Sequence, residues 1–362
     1  MNTAKKCGLI LLFAVCTSTC TAKVPYRLET FATGLELPWS LAFLPDGSAL
    51  VTELPGRLRR ISARGEVGEP IENVPPVYFA GQGGLFEVVL HPDFAHNQLV
   101  YLSYAAGPPQ SNATTVARGR LQENRLEKPE VIFENTPRKD TPVHYGGRMA
   151  FLPDGTLLLT TGEGFNYREA AQDIHSGLGK VLRMNDDGSP AAGNPFPDAP
   201  YVYSYGHRNP QGLAIAADGT IWLHEHGPMG GDEVNRIEPG LNYGWPAITF
   251  GLDYNGAIIS PHTAWPGMQQ PEHFWVPSIA PSGLAIYSGG LFPQWQGDLF
   301  VGALVNHDVH HLTVKDGEIT GEEALFGELA ARIRDVRNGP DGALWILTNG
   351  SPGQVIRVVP GE

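Results

Sequence analysis

GRMAFLPDGTLLLTTGE, residues 147–163, reads as an apolar strand, a tight turn and a second apolar strand. Pro153-Asp154-Gly155 is the turn: Asp bonds the backbone just ahead of it, and Gly takes the positive φ a hairpin needs. The phrase recurs five more times, as WSLAFLPDGSALVTE (39–53), GLFEVVLHPDFAHNQLVYLSY (84–104), QGLAIAADGTIWLHEHG (211–227), SGLAIYSGGLFPQWQGDLFVGAL (282–304) and RDVRNGPDGALWILTNG (334–350). Its markers Asp46, Asp93, Asp154, Asp218, Asp298 and Asp341 lie 43 to 80 residues apart. That is too far for one hairpin and right for a four-stranded blade with variable loops. Six copies predict an all-β chain, a six-bladed β-propeller of four-stranded antiparallel blades. It forms a single domain over residues 23–362. An eight-strand sandwich pair is the competing all-β reading, but it leaves the repetition unexplained. No stretch of ten or more residues has helical periodicity flanked by caps.

Composition supports many short strands: 44 Gly and 31 Pro punctuate 362 residues. A formal charge of −13 excludes a nucleic-acid footprint, which needs clustered positive charge, and otherwise serves solubility. Residues 1–22 read as a signal peptide, with Lys5 and Lys6 ahead of the apolar run Gly8 to Val15 and a small-residue cleavage site at Cys20-Thr21-Ala22. Eight apolar residues are too few to span a bilayer. A lipoprotein anchor at Cys16 or Cys20 is the rival, but the residues before those cysteines fit a lipidation box poorly. The expected location is periplasmic or secreted. All three cysteines (7, 16 and 20) fall in this leader, so the remaining chain has no disulfide, no thiolate metal site and no Cys nucleophile.

The densest chemistry lies in GHRNPQGLAIAADGTIWLHEHGPMGGDEVNRIEPGLNYGWP, residues 206–246. Arg208-Asn209 sits on one loop, and a Gly227-Pro228 turn runs into Asp232 and Glu233 on another. A short strand, Leu213 to His224, would bring the two loops to one end of a sheet. A guanidinium fork, turn carbonyls and carboxylates suit an anionic cofactor held with calcium. An all-oxygen ligand set favours Ca²⁺ over zinc or copper. His224-Glu225-His226 invites a transition-metal reading, yet in a strand the two His share a face and Glu225 points away.

Elsewhere the candidates carry two readings each. His144, in HYGGR, is a general base by its ordinary titration range or a solvated loop histidine; Glu163 could orient its imidazole. Arg332 and Arg334 alternate in ARIRDVR and so face one side, where they clamp an anion or line a solvated blade edge. Gln82 lies in a Gly-rich loop and is uninformative alone. No Gly-x-Gly-x-x-Gly, phosphate loop or Gly-x-Ser-x-Gly elbow occurs.

Taken in order, GQGGL (81–85), HYGGR (144–148), GKVLRMNDDGSPAAGNPF (179–196), GHRNPQG (206–212), EHGPMGGDEVN (225–235), NYGWP (242–246) and RIRDVRNGPDG (332–342) resemble the glucose/sorbosone dehydrogenase family over nearly the whole chain. The likeness is strongest to the soluble aldose sugar dehydrogenases that use pyrroloquinoline quinone (PQQ). It implies PQQ over Ca²⁺ in the channel mouth and hydride transfer from sugar C1, giving an aldonolactone. His144 then matches the base, Glu163 the acid supporting it, and Arg208 a cation polarising the quinone carbonyl. Gln82, Arg208, Asn209, Thr249, Tyr254, Arg332, Arg334 and Asp335 fall at cofactor-contacting positions. Gly227, Pro228 and Asp232 match the cofactor calcium bed, and Glu233 with Tyr243 a further calcium position. The implied partners are an aldose and an external electron acceptor, with the chain as monomer or homodimer.

One departure stands out. Relatives carry a lysine near the quinone carboxylates, whereas this chain reads GALVNHD (302–308), with Val305 at that position, which should weaken cofactor binding unless Asn306 or His307 compensates. Rival functions are a Ca²⁺-dependent lactonase, which would need several side-chain carboxylates on one ion, and a non-catalytic sugar-binding propeller with Trp245 or Trp275 as stacking platforms.

Overall fold

The computed structural model describes residues 24–361. The leader of residues 1–22 lies outside the described residues. Twenty-four strands form six four-stranded antiparallel sheets, as the repeats predict. Blade 1 is Pro38–Phe43, Ala49–Glu53, Arg57–Ile61 and Val67–Pro70; blade 2 is Leu85–Leu90, Leu99–Ala106, Ala113–Gln122 and Arg125–Glu134. Blade 3 is Met149–Phe151, Leu157–Thr161, Lys180–Met184 and Val202–Tyr205; blade 4 is Pro210–Ile215, Ile221–Glu225, Asp232–Ile237 and His273–Trp275. Blade 5 is Pro281–Ile286, Leu299–Ala303, Val309–Lys315 and Glu318–Leu325. Blade 6 takes Ile333–Asn338, Leu344–Thr348 and Gly353–Pro360 from the end of the chain and its outer strand, Tyr26–Leu35, from the beginning. That pairing closes the ring and protects an edge that would otherwise be free.

The turn chemistry read from the sequence holds in four blades. Asp46, Asp154, Asp218 and Asp341 each accept from the backbone N–H two residues on, at 3.0, 3.0, 2.9 and 3.2 Å. The glycines between have φ of 80 to 90°. The other two copies differ. After Asp93 the turn expands into a single helical turn, Phe94–Asn97. Asp298 is no turn residue: it is buried beneath blade 5, accepting from Val314 N at 2.8 Å and paired with His311 at 2.7 Å. The stretch Leu213 to His224 is likewise a hairpin spanning two strands, so its ends meet at one rim by doubling back.

Apolar side chains on both faces of each sheet supply the stability. Six buried clusters sit one between each pair of adjacent blades. Strands buried on both faces read as near-continuous apolar runs such as Leu157–Thr161, which is why the pattern lacks a strict alternation.

Candidate functional site at the channel mouth

The first strands of the blades pack against one another around the axis. Each runs away from one rim and its hairpin partner returns to it. Residues just before a first strand and just after a second strand therefore gather at the same rim. Gln82, His144, Arg208 with Asn209, and Arg332 hold the first kind of position; Glu163, Gly227 with Pro228, and Val305 hold the second. Seven loops far apart in sequence thus share one mouth.

His144 is buried, and its Nδ1 lies 2.9 Å from Glu163 Oε1. Its backbone is left-handed, φ 52°, a conformation non-glycine residues adopt only under constraint. Gln82 Oε1 supplies that constraint by accepting from His144 N at 2.8 Å, and Asn209 Oδ1 accepts from Gly146 N at 3.2 Å. A Cβ on Gly162 would lie 2.3 Å from the His144 carbonyl, so only glycine lets the two loops close. Burial pulls the imidazole pKa down; the Glu163 hydrogen bond opposes this, and the Arg208 and Lys139 charges add to it. Glu163 Oε2 is buried without a partner. With Glu163 on Nδ1, the neutral ring presents Nε2 as a base.

Arg208 is almost fully buried, and Asn209 with it. Glu225 Oε2 accepts from Arg208 N, and Oε1 faces His207 Nδ1 at 2.8 Å. The Arg208 guanidinium donates to the Gly227 and His226 carbonyls at 2.6 and 3.2 Å, lies 5.2 Å from the Trp245 ring, and keeps a buried Nε with no partner. Tyr254, exposed, sits on the other side with its hydroxyl 3.5 Å from Nη2; its ring lies 6.2 Å from Phe165, which in turn edges onto His144. Thr249 and Glu233 line a small cleft with Arg208, Gly227 and Trp245.

Asp232 is the support of the Gly227-Pro228 turn. Oδ1 accepts from Gly227 N at 2.8 Å; Oδ2 accepts from Ser278 Oγ, Ile279 N and Ala280 N at 2.6, 2.9 and 3.0 Å. Four donors occupy the carboxylate, which leaves the turn carbonyls as the groups facing a cation. Gly227 O keeps one lone pair beyond the one Arg208 uses. Glu233 pairs across the strands with Glu225. Burial first, and the Glu225 charge second, push Glu233 up to about 8. The Tyr243 hydroxyl is committed to Arg236 O and Glu238 N, so its carbonyl is the group left for a metal.

Asp335 departs from the cofactor-contacting place expected of it. It is fully buried in an ionic network that no sequence spacing revealed. Arg148 Nη1 bonds Glu87 Oε2 at 3.1 Å and Asp335 Oδ1 at 3.0 Å, and Arg337 bonds the second oxygens of both acids at 2.5 and 2.7 Å. Arg148 also donates to Gln211 O and stacks 4.0 Å from Trp39, tying five blades at the axis. Ser40 from blade 1 joins at Glu87. The only signal was charge in or beside the innermost strands (Glu87, Arg148, Asp335), where a buried face otherwise demands apolar residues.

Arg334, next to this network, has no such partner. Its Nε is buried and unbonded, and burial, then repulsion from Arg148 and Arg332, lowers its pKa to about 9. Arg332 beside it is exposed. Two guanidiniums at Arg208 and Arg334 with orphaned buried nitrogens, and carbonyls beside a carboxylate pair, fit an anionic group bound together with a hard cation. Size does not locate this site: a cavity of ≈ 850 Å³ opens at the opposite end of the channel, between Phe151, Ile215, Ile286 and Asn338.

Residues 35–357 match the family model described as glucose/sorbosone dehydrogenase. The chain belongs to the glucose/sorbosone dehydrogenase family. Among its relatives, the aldose sugar dehydrogenase YliI of Escherichia coli is 39% identical, over 97% of this chain and 98% of its own. Quinoprotein glucose dehydrogenase B of Acinetobacter calcoaceticus is 28% identical, covering 89% and 85%. The PQQ-bound form of aldose sugar dehydrogenase from Streptomyces coelicolor superposes with a TM-score of 0.79 at 31% identity, over 93% of this chain and 99% of that one.

As a dehydrogenase of this family, the chain keeps its imidazoles at 224 and 226 neutral. Both are held below their ordinary pKa, at about 3, by burial, and bond the Gly283 and Pro281 carbonyls at 3.1 and 2.7 Å. Trp275 packs between blades 4 and 5 with Nε1 on Glu322, 2.7 Å. Val305 is exposed at the rim, its N–H bonded to Ile279 O in the segment that Asp232 anchors. Asn306 Nδ2 contacts His310, 3.3 Å, and His307 is exposed. Among the described residues, no helix is long and apolar enough to cross a membrane.

Proposed function

We propose that this protein oxidises aldose sugars at C1 to aldonolactones in the periplasm, using PQQ and Ca²⁺ and passing electrons to an external acceptor. The observation that carries the reading is the buried His144–Glu163 pair at the same rim as Arg208 and Arg334, guanidiniums whose buried nitrogens lack a partner. When bound, PQQ supplies the quinone that accepts the hydride. The chain's residues do the rest. Arg334 and Arg332 hold carboxylates; the Gly227 and Pro228 carbonyls, braced by Asp232, would hold the cation. Arg208 places positive charge where the accepting oxygen becomes anionic. Glu163 keeps the Nδ1 proton of His144 in place, so that Nε2 takes the proton of the sugar C1 hydroxyl. A lactonase is less well supported: among the described residues, no three acidic or histidine side chains converge on a metal position.

Purified protein incubated with PQQ and Ca²⁺ should reduce an artificial dye when an aldose is added, and chelation before PQQ addition should prevent it. Folded protein that stays inactive with every aldose and bound PQQ would refute the reading. Val305→Lys should tighten PQQ binding about fivefold, the worth of one exposed charge pair. A fluorescence titration checks it, and the gain should shrink at high salt.

A further inference from the structure

Lys139 belongs to no part of the site described so far, yet it is 2% exposed. A buried ammonium is costly unless something compensates its charge. Its bonds are all to neutral groups: Thr141 O at 2.6 Å, Asn112 Oδ1 at 3.2 Å and the face of the Tyr145 ring at 3.4 Å. Among the described residues, no carboxylate bonds it. Its stem runs beside the residue that follows Glu163: a Cβ on Gly164 would lie 2.7 Å from Lys139 Cδ, and Thr141 Oγ1 donates to Gly164 O at 2.7 Å. Glu163 has the converse deficit, a buried Oε2 with no partner. A buried ammonium bonded only to neutral groups and a buried carboxylate with one unbonded oxygen thus lie to either side of Gly164.

We propose that Lys139 is the counter-cation of Glu163, a positioning residue whose charge behind the His144–Glu163 pair sets the pH at which the imidazole becomes available as a base. The charged or titratable groups facing this cluster include Asp140, Tyr145, Tyr78, Arg208, His226 and Tyr167, whose hydroxyl donates to Asp140 at 2.8 Å. Glu163 acts on Lys139 more strongly than does Asp140, which is exposed; Tyr145 is held neutral, its hydroxyl pushed well up by burial. Arg208 and Lys139 both disfavour a second positive charge on His144, and His226 is neutral. Burial brings Lys139 down to about 7, so the ammonium carries its charge through the more acidic range in which His144 titrates. Removing that charge raises the pH at which the imidazole takes up a proton, because the imidazolium loses a repelling neighbour.

The inference rests on His144 being the base, so the first test uses protein without PQQ or sugar. Ring-labelled His144, assigned with His144→Gln, is titrated by NMR in the wild type, Lys139→Met and Lys139→Gln. The glutamine keeps a donor for Thr141 O and removes only the charge. Both variants should raise the His144 midpoint by about one pH unit or more. In the reconstituted enzyme the acid limb of kcat should move with it. A midpoint unchanged in both variants overturns the proposal, whether or not the protein oxidises sugars. So does a kcat lowered equally at every pH, the mark of a purely structural role. Glu163→Gln gives the reciprocal readout: the Lys139 Cε resonance should titrate at lower pH, and no change there also refutes the pairing.

Discussion

His144→Ala should lower turnover of the reconstituted enzyme by about 10²- to 10⁴-fold, the usual worth of a positioned general base, while PQQ still binds. The separation follows from where the residue sits. Its imidazole faces Glu163 and Phe165, whereas the cationic groups placed to hold a quinone carboxylate are Arg208 and Arg334. Dye reduction measures the first quantity and a spectral titration with PQQ the second. The wild-type pH profile has a defined sign. Burial lowers the His144 pKa from its ordinary 6.5, so the neutral, proton-accepting form prevails at pH 7. Rate should be lost as pH falls through that lowered value, and raising pH from 7 to 8 should not restore anything. Retained turnover in His144→Ala, or an acid limb well above 6.5, would remove His144 from the base role.

Arg148→Met should produce the largest loss of stability of any single substitution at the axis, about 3–5 kcal/mol. The side chain is 1% exposed and bonds two carboxylates that are themselves buried, so its removal leaves Glu87 and Asp335 with Arg337 as their only cation. A buried ion pair adds little net stability when formed, but breaking one strands a charge in low dielectric. Urea unfolding followed by tryptophan fluorescence reads the change. Arg148→Lys should recover only part of it, because an ammonium cannot reach Glu87, Asp335 and Gln211 O together as the planar fork does. A loss under about 1 kcal/mol would show that the network is not needed to hold the blades.

Legibility differed by the range of the interaction. Asp154 and Gly155 act on neighbours two residues away, so Pro-Asp-Gly identified a hairpin on sight, and repetition then counted blades. The same reasoning misread Asp298, whose partners His311 and Val314 lie on the next strand across. Arg334 was legible as one of two alternating cations that could clamp an anion; that Asp335 beside it faces the opposite way, into a network with Arg148 and Glu87, was not. Adjacent strand residues point to opposite faces, and which face meets the axis depends on closure. Lys139 offered no signal at all, because nothing in its local sequence distinguishes a solvated lysine from one sealed behind a turn of another loop.

The amino-acid sequence alone thus determined the blade, the number of blades and the family, since these rest on turn chemistry and motif order that act over a few residues. The tertiary structure decided what meets what. Only ring closure, with Tyr26–Leu35 completing the last blade, aims the rims of six blades at one point. It brings Arg208 and Asn209 against the His144 loop, leaves Arg334 with no bonded carboxylate and buries Lys139. Those are consequences of burial and through-space charge, which a linear order of residues does not encode.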